Sequence, residues 1–107
     1  MIEEKEQPEK EINLTDEQAF ELIENKRKSL GIDTWVASEV RVLKRGKRGD
    51  DNNYFYVEYV EENVDGSRSP LKLFFHYVEG GWEFSVPGFS GMTQETSDWL
   101  DTFVDIR

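Results

Sequence analysis

The apolar positions divide the chain into one helical stretch, four strand-like stretches and a last short helical one. Ala19, Phe20, Leu22, Ile23 and Leu30 recur at the spacing of one helix face. Ahead of them, Thr15-Asp16-Glu17-Gln18 reads as a capping box, with Thr15 at the N-cap and Gln18 reaching back to it. Asp16 and Glu17 fall in the first turn and Lys26, Arg27 and Lys28 in the last, each complementing the helix dipole. Gly31 is a natural stop. Beyond it the period changes to two. Residues 35–44 alternate, with Val36, Val40 and Val42 expected on one side, and residues 54–61 and 71–79 are dense in aromatic and β-branched side chains. Trp82-Glu83-Phe84-Ser85-Val86 alternates strictly.

Gly80-Gly81 suits a two-residue hairpin turn, and Asp65-Gly66 suits a turn within a wider loop, so the four strands are expected to form an antiparallel meander. Past Pro87, Gly88 and Gly91, a short helix capped by Thr96 or Ser97 would place Trp99, Leu100, Phe103 and Val104 on one face. With Gly80-Gly81 as the turn, Glu79 pairs with Trp82, Tyr77 with Phe84, His76 with Ser85 and Phe75 with Val86. One sheet face then holds Leu71, Leu73, Phe75, Tyr77, Trp82, Phe84 and Val86, and is expected under the first helix. The other face takes Lys72, Phe74, His76, Val78, Glu83 and Ser85. The second strand adds either Tyr54, Tyr56 and Val60 or Phe55, Val57 and Tyr59 to it, depending on register. In both registers this face is apolar enough to need a cover, either the C-terminal segment or a partner.

Composition narrows the class. In 107 residues there are 14 aromatics, the content of a chain that builds a core, and no Cys, which removes thiol chemistry and cysteine-based zinc sites. Thirteen Lys and Arg against 23 Asp and Glu leave a net charge of −10, which argues against nucleic acid or an anionic membrane as partner. Residues 1–13 hold five Glu and two Lys around Pro8 and read as a disordered acidic leader, with a single α+β domain over residues 14–107. No signal sequence or membrane span is visible, so a cytoplasmic location is expected.

Few motifs carry chemistry. Lys44, Arg45, Lys47 and Arg48 lie in what looks like a long hairpin loop over residues 45–53, a candidate anion-binding loop, although Asp50-Asp51 follow at once. A solvated turn is the simpler reading. His76 is the one histidine. Ser85, His76 and Glu58 or Glu83 can be sketched as nucleophile, base and orienting group, but no nucleophile elbow surrounds Ser85. The Asp50-Asp51-Asn52-Asn53 run lacks calcium-loop spacing. No metal or other cofactor is therefore expected.

The order of elements, one helix and a four-stranded meander, resembles the cystatin-like and nuclear-transport-factor-like architectures. The first hairpin reads Val42-Leu43-Lys44-Arg45-Gly46 in place of the cystatin Gln-x-Val-x-Gly, and the second reads Gly80-Gly81-Trp82 in place of Pro-Trp. The resemblance implies an architecture and carries over no functional residue.

The expected function is a non-enzymatic interaction or regulatory module. It would bind a protein partner, a basic one or a second copy of itself, through the aromatic sheet face and the acidic surface. Tyr54, Tyr56, Phe74, Trp99 and Phe103 are the expected anchors, because aromatics dominate binding hot spots. Two alternatives stand beside it. One is a small-molecule or enzymatic pocket between sheet and C-terminal segment, lined by His76, Trp82 and Trp99. The other is an acidic inhibitor imitating nucleic acid toward a basic protein.

Overall fold

Helix α1 (Asp16–Ser29) starts where the capping box places it. The Gln18 backbone N–H donates to Thr15 Oγ1 at 3.1 Å, and the Thr15 N–H donates to Gln18 Oε1 at 2.9 Å. It ends in a Schellman motif. Gly31, at φ +72°, sends its N–H to Lys28 O, and the Ile32 N–H reaches Arg27 O. The computed structural model describes residues 12–85 and 93–107. After α1 come β1 (Trp35–Arg48), β2 (Asp51–Asn63), β3 (Arg68–Val78), β4 (Gly81–Ser85), α2 (Gln94–Leu100) and β5 (Val104–Asp105). This is an α+β fold. The strands form one antiparallel sheet in the order β4-β3-β2-β1-β5, a four-strand meander extended by a two-residue edge strand.

The core lies between α1 and one sheet face. Phe55, Val57 and Tyr59 of β2 meet Leu73 and Phe75 of β3 and Ala19 and Ile23 of the helix, with Trp82 and Phe84 of β4 packed alongside. Burying side chains of this size contributes roughly 1.5–3 kcal/mol each. Strand two thus takes the register that sends Tyr54, Tyr56 and Val60 to the opposite face.

Four local expectations change. The last hairpin turns at Glu79-Gly80, both at positive φ (+52° and +81°), so Tyr77 pairs with Trp82, Phe75 with Phe84, His76 with Glu83 and Phe74 with Ser85. That register differs from the expected one by two residues, which preserves the parity of every side chain. The faces are therefore as expected although the partners are not. Phe75 thus takes Phe84 and not the expected Val86, which itself lies outside the described residues, as do residues 1–11 of the leader expected over 1–13.

Strand β1 does not keep one parity. Trp35 and Ala37 face the core, then Glu39 adopts φ +51° at a bulge between Ser38 and Arg41, and beyond it Val40 and Val42 face the core instead. Val36, expected beside them, is 47% exposed. Leu43, next in the alternation, lies on the opposite face against Tyr56, Phe74 and Phe103, and a second irregularity separates the Val42 and Lys44 pairings. The basic stretch is also no long loop. Residues 45–48 continue β1, residues 51–53 begin β2, and only Gly49-Asp50 turns between them.

The last helix starts earlier than expected. Its N-cap is Thr93, which accepts the Thr96 N–H, and it stops at Leu100. The chain then turns so that Phe103 packs inward and Val104 pairs with Arg45 as part of β5, leaving Val104 63% exposed.

Candidate functional site

The five aromatic anchors expected from the sequence do come together. Tyr54 and Tyr56 of β2 and Phe74 of β3 share the sheet face opposite α1, and Trp99 and Phe103 lie over them. Ring centroids are 5.2 Å apart for Phe74–Trp99, 5.8 Å for Phe74–Phe103, 4.9 Å for Trp99–Phe103 and 5.2 Å for Tyr54–Trp99. Tyr56, Phe74 and Phe103 are consequently buried within the chain itself. Of the two covers weighed for this face, the C-terminal segment is the one observed.

Residues 93–107 act as a strap. The Trp99 indole N–H donates to Lys47 O at 2.9 Å, the Ile106 N–H donates to Leu43 O at 2.9 Å, and Lys44 pairs with Asp105 at 2.7 Å. The Phe103 ring rests directly on Gly46, where any Cβ would collide with it. Arg107 reaches back to Asp16 at the start of α1.

The four basic residues of the candidate anion loop diverge. Lys44 is engaged by Asp105, while Arg45 donates to Asn52 O at 3.1 Å and lies 4.7 Å over the Phe55 ring. Arg48 stacks 4.1 Å over Trp99, and Lys47 contributes its carbonyl to the indole. Their contacts are to neighbours within the fold.

His76 is placed between two carboxylates, with Nε2 2.6 Å from Asp51 and Nδ1 3.5 Å from Glu83, and its ring stacks on Tyr54 at 4.0 Å and 3°. The His76 contact and the Asn53 N–H together hold Asp51 below the usual carboxylate range. Ser85 pairs with Phe74, so the sketched nucleophile is not beside the imidazole in the ladder. Trp82 lies on the α1 face against Phe55, Phe75 and Tyr77. A single pocket lined by His76, Trp82 and Trp99 does not form, because the sheet separates Trp82 from the other two. Among the described residues, no three His, Asp or Glu side chains are grouped to hold a metal ion.

One feature escaped the sequence reading. Phe20, assigned there to the core stripe, is 41% exposed and lines a shallow open groove between α1 and β1, with Val40 opposite and Asp16, Glu17 and Glu21 around it. At helical spacing Asp16 and Phe20 form one i,i+4 pair and Glu17 and Glu21 another, so the acids border the phenyl ring. The signal was present in this acidic spacing. It was masked because Phe20 also fits the apolar periodicity.

Asp16 is fixed at both oxygens. Oδ1 accepts the Val42 N–H at 2.8 Å and Oδ2 accepts from Arg107. Partial burial pushes the carboxyl up, but the Val42 N–H and Arg107, with Arg41 nearby, outweigh it and bring it below its ordinary value.

No helix among the described residues is long and apolar enough to cross a membrane. No protein-family model, curated protein or solved structure matches the chain.

Proposed function

We propose that this chain is a non-enzymatic binding module for a basic protein partner, which it takes on the acidic outer face of α1. The observation that carries this reading is Phe20, a large apolar ring left open to solvent beside Glu17 and Glu21. A carboxylate rim around an exposed ring offers both the apolar anchor and the complementary charge that protein interfaces use. The rest of the surface agrees in sign. Five of the 23 acids and two of the 13 bases lie in the first eleven residues, leaving −7 on the remainder. The aromatic sheet face contributes through the strap that closes it, and its five aromatics act first as internal packing.

A photo-crosslinking residue placed at position 20 and, separately, at Lys72 on the opposite sheet face tests this in extracts of the native source. The expected result is a basic protein that crosslinks from position 20 and not from 72. The adduct should fall by more than half with Glu17→Gln/Glu21→Gln and in about 0.5 M salt, where the screening length is only a few ångströms. Adducts that form equally from both positions, or that ignore the two glutamates, overturn the reading.

A further inference from the structure

One carboxylate that lines the groove beside Phe20 already carries a basic side chain of this chain, and that contact describes what a partner must bring. Asp16 is the one groove carboxylate built into the frame, since its Oδ1 is tied to the Val42 N–H of β1. Its other oxygen carries the guanidinium of Arg107, which arrives from the far end of the strap, 91 residues along the chain. Phe20 and Val40 supply the apolar wall next to that seat, while Glu17 and Glu21 make no ion pair among the described residues. A ligand that fits this arrangement has an arginine for Asp16 and an adjoining apolar side chain for Phe20 and Val40.

Building on the acidic-face reading above, we infer that the groove recognises an arginine with an adjoining apolar residue in a partner protein segment, and that Arg107 occupies the arginine seat when no partner is present. Binding is then an exchange of one guanidinium for another at Asp16. Arg107 is about half exposed, so its contact is a weak surface ion pair that a partner can displace. A planar guanidinium suits the seat better than an ammonium, because it presents several N–H donors in a fixed plane to a carboxylate.

The test uses the full chain and the acetylated, amidated peptide Ser-Gly-Leu-Arg-Leu-Gly-Ser, with an apolar residue on each side of the arginine, followed through backbone amide shifts in NMR titrations. The expected shifts centre on Phe20, Val40 and Val42. Replacing the peptide arginine by lysine weakens binding, and replacing it by glutamate abolishes it. Arg107→Ala tightens binding about two- to fivefold, the range a surface pair of this kind supports. Lys72→Ala, which removes an exposed positive charge from the sheet face away from the groove and keeps the strap's ion pairs in place, leaves affinity unchanged. Absence of groove shifts at about 10 mM peptide, about ten times the concentration that half-fills a site of millimolar affinity, overturns both the exchange and the acidic-face reading. Groove shifts with no gain from Arg107→Ala, or an equal gain from Lys72→Ala, overturn the exchange alone.

Discussion

Glu24 shows how much one side chain can fasten here. It is buried in the middle of α1, pairs with Arg27 one turn later, and accepts the Ala37 backbone N–H of β1 at 2.9 Å. Arg27 in turn donates to Ile32 O at 2.7 Å, tying the helix end to the same assembly. The Arg27 bond, with help from the Ala37 N–H, overcomes burial and keeps Glu24 ionised below its ordinary range. Glu24→Gln keeps the shape and loses the charge, so the expected cost is about 2 kcal/mol, that of hydrogen bonds to a charged group. A lower urea midpoint with unchanged slope is the measurement. Glu79 poses the opposite case, since a non-glycine residue sits at φ +52° in the first central position of the last hairpin. Glu79→Asn supplies the Asn-Gly pair such a turn favours and should raise stability by about 0.5–1 kcal/mol in the same assay.

The strap and the helix differ as elements in what they support. Helix α1 covers the main core, so Phe75→Ala should cost about 3–5 kcal/mol and shift global unfolding. Phe103 belongs to the smaller cluster on the other face. Phe103→Ala should release residues 93–107 first, seen as faster hydrogen exchange at the Ile106 amide while the Val57 amide stays protected. The sequence made these two layers legible wherever period alone decides. The capping box, the Gly31 stop, the meander and the two faces of β3 and β4 could all be read from residue spacing. It failed where one residue breaks the period. The positive φ at Glu39 reverses the parity of β1, and nothing in Ser38-Glu39-Val40 announces a bulge. Likewise Thr93, Thr96 and Ser97 are all residue types that cap helices, and spacing does not choose among them; the structure uses Thr93. The candidate groove was less legible still, because Phe20 satisfies a core stripe and a surface anchor equally well by spacing.

Taken over the whole molecule, the titrating carboxylates do not all pull in one direction. Among the described residues Asp16, Glu24, Asp51 and Asp65 are lowered in the fold, whereas burial raises Glu61. A lowered carboxyl stabilises the fold fully above its unfolded value and loses that contribution as pH falls through its folded one. Glu61 acts in reverse, favouring the fold below its unfolded value and less so as pH rises. Four outweigh one, so the urea midpoint should hold above about pH 5 and fall steadily toward pH 3. Glu24→Gln should flatten that slope. Burial and neighbouring carboxylates also raise the Tyr56 and Tyr59 phenols, so stability should decline again above about pH 10. The carboxylates of Asp16 and Glu24 have one more role, set by where their hydrogen bonds land. Both cap backbone donors, Val42 and Ala37, on the side of β1 that no strand covers before β5 begins at Lys44. Acid would therefore uncover a ready template for cross-β growth while α1 loosens. Thioflavin-positive fibres should appear near pH 3 and not at pH 7, and Val36→Lys, a charge on that strand's open face, should lengthen their lag.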